Sequence, residues 1–194
     1  MNQPQQGYGP PYPPPGWRPI PPPPLSPGGQ PLADFGTRLL AYLIDAAIIS
    51  AVLMVLALPV MAIFISTQFD RFSELGPYGP EPDVIRDFIG PLLLIELGLI
   101  LAVLVIYYVY NVELMYRSGQ TVGKKAMKVR VVPIDPAATL TRTMATKRYL
   151  VESVAGLLIP FFIYLDGLWQ LWDKPYQQTL HDKFAQTVVI KVSA

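Results

Sequence analysis

Residues 39–66 form an apolar run long enough to cross a bilayer, and one carboxylate, Asp45, sits inside it. A spanning helix needs about 20 predominantly apolar residues. A carboxylate at that depth is costly unless it is paired or faces protein. The chain therefore reads as an integral membrane protein with a polar constraint built into its first span. Charged residues are 15% of the 194, against about 25% in a soluble domain, which agrees with that class.

Other composition features narrow the chemistry. The chain has no cysteine, which removes disulfides, thiol catalysis and cysteine-held metal clusters. With one histidine, His181, a histidine-based metal site is not expected. No cofactor and no nucleic-acid partner is expected. No cleavable signal is visible near the start, so the first span is expected to act as its own insertion signal.

Residues 1–32 read as a tail. Thirteen of the 22 prolines lie there, with Tyr8, Tyr12 and Trp17 interleaved among Gly and Gln. Proline lacks an amide donor and fixes φ, so extended polyproline and disorder are expected. Composition favours a disordered spacer over a ligand for a proline-binding groove.

A second span is expected over residues 90–110, with Glu96 inside it and Tyr107, Tyr108 and Tyr110 at its end. Tyrosines of this kind prefer the headgroup level. The loop between the spans, 67–89, carries two arginines against five acids, a net −3. The next segment, 111–149, carries eight basic residues against two acids, a net +6. Short Lys- and Arg-rich loops stay in the cytoplasm. The second loop and the N-terminal tail are thus expected inside, and the first loop outside.

A third apolar region, 150–172, is broken by Pro160 and carries Asp166. It is either a third span, with the C-terminus outside, or a re-entrant segment that returns to the cytoplasmic side. Residues 128–132 and 187–192 are rich in β-branched side chains and read as two strands. A lone strand is not stable, so their pairing favours the re-entrant form. The expected fold is an all-α membrane domain with two full spans, this third region, and a small β pair at the cytoplasmic face.

Several residues could carry chemistry. Asp45, Glu96 and Asp166 are membrane-region acids on three segments and could converge on one ion or proton site. Arg38 and Asp45 share a helix face about 10 Å apart, too far for a direct bond. The run Gly119–Gln120–Thr121–Val122–Gly123–Lys124–Lys125 fails the phosphate-loop pattern in its spacing and in lacking Ser or Thr after the lysine. It reads as a turn presenting Lys124, Lys125 and Lys128 to lipid headgroups. His181–Asp182 has no accompanying nucleophile motif, so an enzyme is not expected.

Three blocks in order form one pattern: Phe35–Gly36–Thr37–Arg38 leading to Asp45, the Gly119–Val132 block, and Leu180–His181–Asp182 leading to the Thr187–Ile190 strand. Together they resemble the RDD family of bacterial membrane proteins, over residues 33–192. The family is named for an arginine and two aspartates. The resemblance maps these onto Arg38, Asp45 and Asp182. One departure is Gln186, where the family tends to have a small, Gly-like residue. The Pro-rich leader is similar to those of many actinobacterial membrane proteins. The resemblance implies a multi-pass protein of the bacterial cytoplasmic membrane whose activity is undefined. A few members are linked to Na⁺/H⁺ exchange. The expected role is a non-enzymatic envelope component that meets lipid and assembles with itself or a larger membrane partner. The alternative is a cation/proton transporter using Asp45.

Overall fold

The computed structural model describes residues 22–74 and 83–192. Two long helices dominate it. Helix α1, Phe35–Glu74, starts at Asp34, whose Oδ1 accepts from the Thr37 amide at 2.8 Å. This satisfies one of the donors that every helix start leaves open. Pro59 removes one backbone donor without ending α1. Helix α2, Ile85–Ser118, contains the second apolar run and extends eight residues past its expected end at Tyr110. Residues 1–21, most of the Pro-rich tail, lie outside the described residues.

The basic segment is not a loop. It holds α3 (Val122–Ala126), β1 (Val129–Pro133) and the start of α4 (142–158). Thr121 caps α3 and Thr141 caps α4, each by a side-chain oxygen that accepts from the first turn. The chain then forms α5 (Phe162–Trp169), α6 (Leu180–Ala185) and β2 (Thr187–Lys191). The two strands pair antiparallel, with Val129 opposite Lys191 and Pro133 opposite Thr187. The β pair read from the β-branched runs is therefore present.

The core lies at one end of the long helices. Ala33, Ala41, Met115, Val129, Val131 and Val189 pack together there, so the head of α1, the foot of α2 and both strands share one apolar centre. Residues 25–32, assigned by composition to the tail, fold onto it. Leu32 is buried and bridges to Ile190, and the Ala33 amide donates to Val189 O at 2.9 Å. A strand edge with open donors and acceptors accepts any extended neighbour, and Pro31–Ala33 supplies one.

The third apolar region bends back on itself. The chain turns at Pro160, and Phe161 takes a left-handed φ of 62°. Glu152 on α4 and Asp166 on α5 both reach His181, at 3.9 Å and 2.6 Å. In one straight helix, residues 14 apart would lie about 21 Å apart along the axis. The two limbs therefore return to the same end of the molecule.

Candidate functional site

The polar side chains gather around that common end in three linked groups. The first centres on Asp182, which is 0% exposed. The motif Thr179–Leu180–His181–Asp182 forms a capping box. The Asp182 amide donates to Thr179 Oγ1 at 3.2 Å, and the Thr179 amide donates to Asp182 Oδ2 at 3.3 Å. This fixes the carboxylate at the start of α6. Arg38 Nη1 donates to Oδ2 at 3.1 Å, and Arg148 Nη1 donates to Oδ1. Arg148 also reaches Thr187 Oγ1 at 2.6 Å.

Arg38 itself is anchored twice more, by Nε to Ala33 O at 3.1 Å and Nη2 to Val189 O at 3.3 Å. One carboxylate thus joins the head of α1, α4, α6 and β2. Burial pushes the Asp182 carboxyl up, but the charges of Arg148, His181 and Arg38 outweigh that and hold it well below the usual carboxylate range. A buried ion group of this kind is costly to assemble and costlier to break.

The second group seats Asp45. Its Oδ1 accepts from Tyr110 Oη at 2.5 Å and from the Gly123 amide at 2.6 Å. Its Oδ2 accepts from Thr121 Oγ1 at 2.5 Å. Lys124 Nζ stands 3.9 Å away. The donors come from α2 and α3, so Asp45 ties both to α1. The seat depends on Gly123, where an added Cβ would lie 2.2 Å from Ala41 O and 2.8 Å from the Asp45 carboxyl carbon. The glycine that resembled part of a phosphate loop is there because α3 touches α1 backbone.

The third group is His181 with its acids. Asp166 accepts twice, from the His181 amide at 2.9 Å and from Nδ1–H at 2.6 Å. Glu152 and Asp182 each stand 3.9 Å from Nε2. An imidazole between three carboxylates is held in one orientation, but no hydroxyl or thiol nucleophile is hydrogen-bonded to it among the described residues.

The residues singled out from sequence are thus distributed unevenly. Arg38 and Asp182 meet directly. Asp45 lies one α1 turn pair away, in its own seat. Asp166 joins His181 rather than Asp45. Glu96 is exposed on α2, fourteen residues before Tyr110, or about 21 Å along the axis. The three acids do not share one site. Lys125 and Lys128 are exposed, whereas Lys124 is turned inward with its side chain 15% exposed, because Asp45 draws it.

Arg148 is the residue that sequence reasoning passed over. In a charge count it is one more cation of the basic segment. The available signal was its place at the head of the third apolar region, as Arg38 heads the first. The Thr179–Asp182 spacing was a second overlooked signal, since Thr-x-x-Asp marks a helix start.

No curated protein and no solved structure matches this chain. The family model for the RDD family matches residues 32–186, which spans every group just described except the partners that β2 supplies, Thr187 and Val189. With two apolar helices long enough to cross a membrane and an Arg38–Asp182 pair at their common end, the chain is a membrane protein that belongs to the RDD family.

Proposed function

We propose that this protein is a non-enzymatic component of the bacterial cytoplasmic membrane that assembles with itself or with a larger membrane partner. The observation that carries this reading is the commitment of all three motif side chains to internal bonds. Asp182 is sealed by two arginines and Asp45 by three donors. Groups spent in this way hold a fold. The surface left for function is the pair of long helices, whose apolar faces are largely unburied within one chain. Lipid covers part of that surface, and helix partners pack on the remainder.

The charge distribution supports a cytoplasmic location for the polar end. The net +6 segment builds α3, β1 and the start of α4 there, whereas Asp70, Arg71, Glu74, Asp83, Arg86 and Asp87, the described charges of the net −3 segment, lie at the far ends of α1 and α2. On this reading the third apolar region is re-entrant and both termini face the cytoplasm. Non-helical backbone at membrane depth is tolerated where protein shields it, and the limbs around Pro160 pack against α6 through His181.

Cation/proton transport through Asp45 is the alternative. It needs a carboxylate that a solvated ion can reach, and a wall of helices that two spans alone do not build. The test is site-specific photo-crosslinking from Leu94, Leu101 and Val105 of α2, all exposed, in native membranes. Discrete dimer or heteromer bands support assembly. Lipid adducts alone, together with Na⁺-dependent proton flux in proteoliposomes that Asp45→Asn abolishes, would replace it with the transporter reading.

A further inference from the structure

A cavity of about 420 Å³ opens between the head of α1, α4, α5 and α6. That volume suits the headgroup of an amphiphile. One wall is apolar: Leu39, Leu43, Ile163 and Leu168, each well exposed on the outer surface. The other wall holds polar groups whose bonding is incomplete.

Arg148 spends both of its hydrogen bonds from Nη1, and its Nε is buried with no partner among the described residues. Gln170 is oriented by its Nε2 donating to Gly167 O at 2.7 Å, which leaves Oε1 buried and without a partner among the described residues. Among the described residues Glu152 meets only His181, at 3.9 Å. Buried polar groups are almost always satisfied, and each exception calls for a partner. The remaining charged lining residues are already engaged: Arg38 with Asp182, Lys124 with Asp45, and His181 with Asp166.

The unmet needs are complementary. A guanidinium edge calls for an anion with two oxygens, such as a phosphodiester. Gln170 Oε1 and the Glu152 carboxylate call for N–H donors, best supplied by a primary ammonium. The apolar wall calls for a chain running out along α1 and α5. The cavity lies where the first span begins, the level at which headgroups sit.

We propose that the cavity binds one membrane phospholipid whose headgroup joins a phosphodiester to a primary ammonium. Arg148 faces the phosphate, Glu152 and Gln170 face the ammonium, and an acyl chain lies along Leu39, Leu43, Ile163 and Leu168. This rests on membrane insertion and not on assembly. A chain that proves monomeric overturns assembly and leaves this binding measurement standing.

The test is native mass spectrometry of the full chain titrated separately with phosphatidylethanolamine, phosphatidylcholine, phosphatidylglycerol and soluble phosphoethanolamine. Phosphatidylcholine keeps the charge and loses the N–H donors. Phosphatidylglycerol keeps the phosphodiester and loses the ammonium. The expected result is one phosphatidylethanolamine per chain, held at least tenfold tighter than the other three. Glu152→Gln and, separately, Gln170→Met should erase that preference, while Thr139→Ala, exposed and outside the cavity, leaves it unchanged. Equal binding of the three lipids, or soluble phosphoethanolamine binding as tightly as the lipid, would overturn the proposal. So would a preference that survives both cavity variants.

Discussion

Arg38 Nη1 donates to Asp182 Oδ2 at 3.1 Å across 144 positions of sequence. Arg148 holds the other oxygen of the same carboxylate, so the three side chains act as one clasp. Removing the shared acid leaves two buried guanidinium groups facing each other. Removing one arginine leaves a pair. Breaking a buried ion group costs about 3–5 kcal/mol. Asp182→Asn is expected to fall at the upper end and Arg38→Gln at the lower. Thermal unfolding of the detergent-solubilised protein, followed by tryptophan fluorescence, checks the order. Equal losses would mean that Arg148 contributes nothing to the clasp once Arg38 is gone.

Acid should open the clasp. Burial raises the Asp182 carboxyl, but Arg148, His181 and Arg38 together set it well below its ordinary value in the folded state. A depressed folded value contributes stability that is fully present above the unfolded value of about 4 and lost as pH falls towards the folded one. Asp34 shifts the same way, through its hydrogen bonds to Lys191 and Thr37, but it is exposed and solvent screens it. Melting temperature is expected to decline below about pH 4, and Asp182→Asn should flatten that decline more than Asp34→Asn does.

Asp45 offers a sharper chemical test. Its carboxylate receives donors only, from Tyr110, Thr121 and Gly123. Asparagine presents one amide NH₂ that cannot accept, so at least one donor is left unpaired. Asp45→Asn is expected to cost about 1–3 kcal/mol. Gly123→Ala should cost at least as much, because the new methyl meets Ala41 O and α3 must back away from α1. The chain lacks cysteine, so Ala41→Cys with Val122→Cys gives a clean cross-linking reporter. Its yield should drop in Gly123→Ala.

Gln186 closes α6 at φ 54°, in left-handed backbone. A side chain there is strained, and glycine is not. Gln186 recovers part of the strain by donating Nε2 to Lys183 O at 2.9 Å. Gln186→Gly is expected to stabilise by about 0.5–1 kcal/mol, visible as a higher melting temperature. A lower one would show that the side-chain bond outweighs the strain.

Topology follows from single cysteines. Lys125→Cys, on exposed α3, should react with an impermeant maleimide only in inverted membrane vesicles. Asp83→Cys, just before α2, should react only in right-side-out ones. Lys183→Cys on α6 should follow Lys125→Cys, because α6 and α3 share the clasped end. Labelling of Lys183→Cys from outside would return the third apolar region to a full span.

The spans were legible because twenty or more apolar residues have few other soluble or membrane fates. The strands were legible because β-branched runs have a short period and needed each other. The third strand-like segment, Pro31–Ala33, was hidden by its proline-rich context, since composition there describes the neighbours more strongly than the residues. The grouping of acids was hidden for another reason. Hydropathy places Asp45, Glu96 and Asp166 in apolar stretches but carries no information on rotation or on where a chain turns back. Arg148 was hidden because a charge count cannot separate a cation that meets water from one that meets Asp182.

The length of chain between the partners of the clasp also sets a clock. At about 5–20 residues per second, Asp182 is synthesised roughly 7–30 s after Arg38. Through that interval the Arg38 guanidinium lacks both Asp182 and the Val189 carbonyl, and has water, headgroups and the nearby Ala33 carbonyl to bind. Closure of the fold is therefore an exchange of those provisional partners, water and headgroups, for Asp182 and Val189.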